Sequence, residues 1–314
     1  MSVTRCPKDN NPTRRYFIDA PPTPNIRKHP NQFMIDHSLK RWYLSCAMRT
    51  KNISKQTKRM HPDPVEDILS IPRPIVAMAK EFPSGHLISF HQHSRAQLLY
   101  ASSGVMTVKT SRGIWVVPPL RAVWIPAHTR HQIEVSGHLS MRTLYIDPTF
   151  FSGPSEECCV IAVTPLLREL ILQAVAMPRL YPLKGPEERL LTVILDQIRI
   201  MRIAPLELPI PENAWLKKIY KRLSSSPEDN RKLEDWGKMV GATGRTLARH
   251  FRLETGMTFG QWRQQIRILE ALKRLGMKES VTTVAIELGY DSPSAFISMF
   301  KKALGKTPGQ YFAE

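Results

Sequence analysis

The sequence predicts an α+β protein: a small β-barrel with trailing helices, then an all-helical domain in which one unit occurs twice. Three observations predict it. Between about Pro72 and Ile146, apolar and β-branched runs alternate with Gly, Pro and Ser turns, the pattern of a barrel or sandwich of short strands. Helical periodicity takes over near Thr164. Near the end, Gly256-Met257-Thr258-Phe259-Gly260-Gln261-Trp262 returns as Gly305-Lys306-Thr307-Pro308-Gly309-Gln310-Tyr311.

A chain of 314 residues is long enough for two domains, each with its own core. The formal net charge of +18 is uneven. Residues 1–62 carry 13 Lys and Arg against 3 Asp and Glu, residues 63–210 carry 14 against 13, and residues 211–314 carry 18 against 11. The near-neutral middle should therefore handle something other than a polyanion, whereas both ends could meet phosphates.

Residues 1–62 are rich in Pro, Asn, Lys and Arg and lack a hydrophobic period, so a disordered basic extension is expected. It reads as a plain tail, as sequence upstream of a start at Met48 or Met60, or as an arm adding non-specific DNA affinity. Residues 63–203 should hold the barrel and two helices. The expected strands include Leu87–Phe90, Gln97–Tyr100, Val105–Val108, Ile114–Val117 and Ala122–Ile125. Thr164-Pro165 caps a helix running to about Met177. A second helix, from about Glu187 to Ile203, carries Leu190, Leu191, Ile194, Leu195 and Ile198 on its apolar side. These helices could pack on the barrel or pair between subunits. Pro205, Pro209 and Pro211 make residues 204–212 read as a stiff linker, and the helical domain fills 213–314.

Four cysteines, Cys6, Cys46, Cys158 and Cys159, show no CxxC spacing, which argues against a disulfide framework or a structural zinc cluster. Cys158 and Cys159 read as incidental rather than redox-sensing. No apolar run approaches the roughly 20 residues of a membrane span, and no signal-peptide pattern follows the N-terminal charges. A cytoplasmic protein without a membrane partner is expected.

The repeat extends beyond the seven-residue phrase. The same offset pairs Thr243 with Ser292, Leu247 with Phe296, Phe251 with Phe300 and Arg252 with Lys301. Each copy is thus an amphipathic helix that starts at a hydroxyl cap and stops at a glycine. Two equivalent helices in a basic segment suggest two readers of a repetitive partner, double-stranded DNA. Leu247 and Phe251, then Phe296 and Phe300, would dock each helix. The opposite side would offer Arg245, Thr246 and Arg249 beside the Thr243 cap, and Ser294, Ile297 and Ser298 with Lys301 and Lys302 beyond. An arginine there can bond a guanine bidentately; the second unit, lacking one, should contribute mainly phosphate contacts and a methyl contact. Trp262 and Tyr311 read as core anchors. The segment resembles the DNA-binding domain of AraC/XylS transcription regulators over about a hundred residues. Leu233–Val240 and Gly244–Thr255 match its first helix-turn-helix, Val281–Leu288 and Pro293–Leu304 its second. A long helix from Phe259 to about Leu275 would hold them apart.

In the middle domain the chain spells Gly85-x5-His91-x-His93-x3-Gln97-x6-Gly104, and later Pro126-x-His128-x2-His131. These resemble the two motifs of cupins, a β-barrel superfamily, with Gln97 where glutamate is usual and His128 where glycine is usual. The resemblance implies a divalent metal at His91, His93, Gln97 and His131. Residues i and i+2 on a strand share a face, so His91 and His93 should both look inward. Three imidazoles suit Zn, Ni, Cu or Fe, with an amide oxygen as a weak fourth ligand. The same barrel without metal serves AraC-type regulators as the effector-binding domain.

The expectation is therefore a regulator with a cupin-like sensing barrel for a small-molecule or metal effector and a double helix-turn-helix. A homodimer is expected, with RNA polymerase as a partner if the protein activates. Two alternatives stay open. One is a metal-dependent cupin enzyme tethered to DNA, against which stand the missing carboxylate and the reading of Glu81 and Glu134 as solvated strand-end residues. The other is a barrel that only dimerises.

Overall fold

The structure, a computed structural model, describes residues 68–312, all within one compact unit. The basic extension, Cys6, Cys46 and both alternative starts lie outside the described residues.

Nine antiparallel strands build the first part: β1 (Ile75–Phe82), β2 (Leu87–His91), β3 (Ala96–Lys109), β4 (Gly113–Val117), β5 (Arg121–Ile125), β6 (His131–Ile146), β7 (Cys159–Ala162), β8 (Ile203–Ala204) and β9 (Glu207–Pro209). The main path runs β1-β6-β3-β5-β7-β8, with β2 on β6 and β4 between β3 and β9. Two of the expected short strands, 97–100 and 105–108, are halves of the single long β3. Its first half pairs with β5 and its second with β4, and the register against β6 shifts between Ala101 and Val105. Gly104 makes the bend possible. Its φ is +75°, and a Cβ there would lie 2.4 Å from the carbonyl oxygen of His138, so only glycine lets the two long strands bend together.

Side-chain alternation along these strands divides the core. Leu98, Tyr100, Leu144 and Ile146 face outward onto two helices, α1 (Pro165–Ala176) and α2 (Pro186–Ile200). Thr164 caps α1 by accepting from the Leu167 amide. Leu167 and Ile171 of α1, with Leu191, Ile194, Leu195 and Ile198 of α2, are fully or almost fully buried against the sheet. Each such side chain stabilises by roughly 1.5–3 kcal/mol. This buries one face of each helix against its own barrel. Leu99, Ala101, Val123 and Ile125 face the other way, into a core shared with the helical domain.

The Pro-rich stretch is not a free linker. β8 pairs with β7, β9 pairs with β4, and the Leu206 carbonyl accepts from the Val116 amide. Pro205 and Pro209 sit on this edge, where a missing N–H costs no ladder bond. The sheet therefore takes in residues 203–204 and 207–209 of this stretch.

Seven helices follow: α3 (Ala214–Ser225), α4 (Leu233–Val240), α5 (Gly244–Thr255), α6 (Phe259–Gly276), α7 (Val281–Glu287), α8 (Pro293–Leu304) and α9 (Pro308–Phe312). The repeated phrase now has a physical meaning. Gly256 and Gly305 end α5 and α8 with φ of +68° and +81°. Thr258 and Gln261 then form a reciprocal capping box at the start of α6, and Thr307 and Gln310 do the same before α9. Trp262 and Tyr311 are buried anchors.

Candidate functional site

The two recognition helices are built alike. In α5, Leu247 and Phe251 are fully buried, and Thr243 caps the helix by accepting from the Thr246 amide at 3.1 Å. In α8, Phe296 and Phe300 are fully buried, and Ser292 accepts from the Ala295 amide at 3.2 Å. The outward sides differ in charge. Arg245 and Arg249 are exposed, and neither forms an ion pair among the described residues. Thr246 is half-buried, its hydroxyl 2.9 Å from that of Thr243. Ser294, Ser298, Lys301 and Lys302 are exposed on α8. Ile297 is half-buried and packs against the helical core, so it offers less methyl surface outward than its sequence position suggests.

In the barrel, His91, His93 and His131 converge. Their candidate ligand nitrogens all lie within 4.8 Å of one another. His91 ends β2, directly opposite His131 at the start of β6, and their ring centroids are 4.3 Å apart. His93 arrives differently from expected. It lies beyond the end of β2, in the turn before β3, so its approach comes from the loop rather than from strand alternation. His128 has a φ of +61°, which explains why its motif position is usually glycine.

The hydrogen bonds around these rings set their tautomers. Each Nδ1 faces a backbone carbonyl oxygen: His91 on Ser89 at 2.9 Å, His93 on Arg95 at 2.6 Å, His131 on Thr129 at 2.8 Å. A carbonyl can only accept, so each Nδ1 carries a proton and donates; in a neutral ring Nε2 then keeps a lone pair. Burial holds the His93 and His131 imidazolium forms down, His131 to about 4, so both rings are neutral near pH 7. His131 Nε2 is buried with no hydrogen-bond partner among the described residues. Such an orphaned acceptor costs about 1–3 kcal/mol.

Gln97 joins the cluster without standing free. Its carboxamide lies 3.1 Å from His93 Nε2 and 3.0 Å from the Thr143 hydroxyl. Gln97 Oε1 faces His93 Nε2, and Gln97 Nε2 donates to the Thr143 hydroxyl; a His93 Nε2 that keeps its lone pair requires the amide turned over, with N–H₂ toward the ring and the Thr143 O–H donating to the amide oxygen. Thr143 was invisible to motif reasoning, since nothing near it in sequence marks it as a partner of Gln97.

Other residues singled out in the sequence fall outside these sites. Glu81 and Glu134 are not merely solvated: Glu81 pairs with Arg142 and accepts from Ser140, and Glu134 pairs with Lys109 across the sheet. Cys158 and Cys159 are free and buried on opposite faces, one in each core. Burial pushes their thiols up to about 12 and about 11, which disfavours the reactive thiolate. No described helix is long and apolar enough to cross a membrane.

Comparison with known proteins agrees with both halves. The helix-turn-helix domain family matches residues 236–314, and the AraC-like ligand binding domain family matches residues 80–180. The HTH-type transcriptional regulator NimR of Escherichia coli K12 is 36% identical over 223 residues, which is 71% of this chain and 81% of NimR. RipA of Corynebacterium glutamicum, also an HTH-type transcriptional regulator, is 31% identical over 110 residues, 35% of this chain and 33% of RipA. Among solved structures, the AdpA DNA-binding domain in complex with a target DNA covers 31% of this chain and 87% of its own, with 29% identity and a TM-score of 0.29. The chain belongs to the AraC family of transcription regulators, binding DNA through its helix-turn-helix domain and carrying an AraC-like ligand-binding domain ahead of it.

Proposed function

We propose that this regulator senses a divalent transition metal in its barrel and adjusts promoter occupancy accordingly. One observation carries the reading: one ring nitrogen of each of three histidines lies within 4.8 Å of the other two, while a backbone carbonyl faces each Nδ1. A histidine that ligates through Nε2 needs Nδ1 protonated, and the hydrogen bond from Nδ1 orients the ring and raises its basicity. A tetrahedral ion needs nitrogens roughly 3.4 Å apart for metal–nitrogen bonds of about 2.0–2.1 Å, and small side-chain rotations would draw the three rings in. Gln97 would release His93 Nε2 on metal entry, and its amide oxygen could become a weak fourth ligand. The all-nitrogen set suits Zn, Ni, Cu or Fe. In this reading neither Glu81 nor Glu134 is available for acid–base chemistry, which favours a sensor over a cupin enzyme.

On the DNA side, Arg245 and Arg249 read base edges in one major groove, with Thr246 beside the Thr243 cap. Ser294 and Ser298 line a second groove, Lys301 and Lys302 meet its phosphates, and Ile297 adds a small methyl contact. Two units per chain would address successive groove faces roughly 34 Å apart. A homodimer would then cover repeated half-sites, and RNA polymerase would be a further partner if the protein activates.

The test is the metal content of purified protein by elemental mass spectrometry, with His131→Ala as control and promoter binding measured in parallel. Near-stoichiometric metal that vanishes in the variant, together with a change in promoter binding, supports the reading. Metal-free protein that still responds to a signal would turn the histidines into the lining of an organic effector site.

A further inference from the structure

The loop that leads from α3 into α4, the first helix of the first helix-turn-helix, is wedged against the turn of the second. Gly289 makes that turn, between α7 and α8, at a φ of +77°. A Cβ on it would lie 2.7 Å from the Glu228 carbonyl oxygen and 2.9 Å from the Glu228 Cα. The approach is thus backbone against backbone, and only glycine allows it. Beside it, the Asn230 amide donates to the Gly289 carbonyl at 3.2 Å.

Arg267, in the middle of α6, closes the wedge from a third side. Its Nε donates to the Pro227 carbonyl at 2.7 Å and its Nη2 to the Asn230 Oδ1 at 2.9 Å. The guanidinium carbon lies 5.6 Å from the centroid of the Tyr290 ring, the residue after Gly289. Arg267 is only 7% exposed and forms no ion pair among the described residues. A buried guanidinium without a carboxylate is costly. Its rigid fork offsets that cost only while the loop, the turn and α6 all hold their places. One side chain therefore ties together the entry to the first unit, the helix between the units, and the turn of the second. Arg263, one turn earlier on α6, adds a bond from Nη1 to the Arg231 carbonyl of the same loop at 3.0 Å.

Successive major-groove faces lie roughly 34–36 Å and 10–10.5 base pairs apart, so each added base pair moves the second face by about 3.4 Å and turns it by about 35°. A hinge between the two units could follow such a shift; the wedge removes that freedom. We infer that Arg267 is a positioning residue that sets the base-pair spacing at which the two units accept their half-sites. The inference rests on both units meeting DNA, as proposed above. Two readers joined stiffly help each other only at the matching span, whereas readers joined loosely tolerate other spans and bind less tightly at the best one. Selectivity for spacing then resides in a buried residue and not on the reading faces.

The operator is first selected by the full chain from random duplexes of roughly 40 base pairs, four helical turns. Hydroxyl-radical footprinting marks the groove segments that each chain protects. Affinity is then measured for this operator and for duplexes with one base pair added or removed between the two segments of one chain. The parent should lose about tenfold or more at either altered spacing, as the second unit gives up its contacts. Arg267→Met keeps the apolar stem, and Asn230→Ala changes an exposed residue. Both should bind the original operator several-fold more weakly, and the spacing penalty should shrink to about threefold or less. Arg267→Lys, which keeps the charge and loses the fork, should follow Arg267→Met. Ile198→Ala, at a fully buried position of α2, destabilises the barrel with the wedge intact and should keep the parent's penalty. Urea unfolding checks that every variant is folded. A parent indifferent to spacing, an unchanged penalty in Arg267→Met and Asn230→Ala, or a penalty lost in Ile198→Ala would each overturn the assignment to Arg267. A footprint of one groove segment per chain would instead overturn the two-groove reading on which it stands.

Discussion

The two helix-turn-helix units share one skeleton and differ on both of its sides. Phe251 lies 5.2 Å from the Trp262 ring, and its counterpart Phe300 lies 5.7 Å from the Tyr311 ring. Outward, the first unit offers two free arginines where the second offers Ser294 and Ser298 at the same positions. Inward, Trp262 Nε1 donates to the Pro209 carbonyl at 3.2 Å, whereas the buried Tyr311 hydroxyl has no partner among the described residues, and Tyr311 lines the cavity of about 540 Å³ between barrel and helical domain. The first unit is satisfied within and carries Arg245 and Arg249 exposed on its outer face. The second carries no arginine on its outer face and places the Tyr311 ring where the domains meet. The two frames match, and what differs is the charge on their outer faces and the pairing of their inner anchors.

The shared skeleton predicts the largest effects. Phe251→Ala and Phe300→Ala should each destabilise by about 3–5 kcal/mol, the usual range for a fully buried phenylalanine, measured by urea unfolding. A gap of more than about 2 kcal/mol between them would show that the frames are not energetic equals. Next comes the docking of the helical domain on the barrel. Gly137→Ala introduces a side chain at a φ of +75° and directs it at the Gly276 carbonyl. A left-handed residue alone costs about 1–2 kcal/mol, and the backbone collision cannot be relieved by a rotamer change. The variant should lose about 2 kcal/mol or more, with faster hydrogen exchange concentrated at residues 273–278. Exchange that rose equally throughout α5 would mean that Gly137 supports both units alike.

The reading faces should diverge by a smaller but more telling margin. Arg249→Ala should forfeit about 1–3 kcal/mol of discrimination at one base pair, seen as a flattened ranking of operator substitutions. Ser298→Ala, at the matching position of α8, should change the ranking by only a few tenths of a kcal/mol. An unchanged ranking for Arg249→Ala would place the reading face elsewhere on α5.

Most of this architecture was legible because helical punctuation is local. Glycine stops, hydroxyl caps and the Thr-x-x-Gln boxes each act within four residues, so the helices of both units fell where the spacing put them. The three histidines were legible for a related reason, as a motif copies the few residues that a site needs. What escaped was non-local. The two halves of β3 looked like separate strands because a bend at Gly104 reads as a turn. The proline stretch looked like a linker because edge pairing of β8 and β9 depends on partners 40 to 100 residues away. The interdomain cavity draws on Ser103, Arg168, Lys278 and Tyr311, which share no spacing, and an unpaired hydroxyl leaves no trace in sequence.

The smallest expected effect tests whether the units are still equal where no base is read. Arg252 and Lys301 occupy matching positions in the last turns of α5 and α8, and both are exposed. If each meets one phosphate, replacing either by alanine removes one released counterion, so the slope of log affinity against log salt should fall by about 0.9 in both variants. Binding should weaken a few-fold on every sequence alike, leaving the operator ranking intact. Equal slopes would mean that both frames lie on the DNA backbone and that only the first has invested in base contacts. A slope change for Arg252→Ala alone would mean that Lys301 meets no phosphate and that the second unit stands off the DNA.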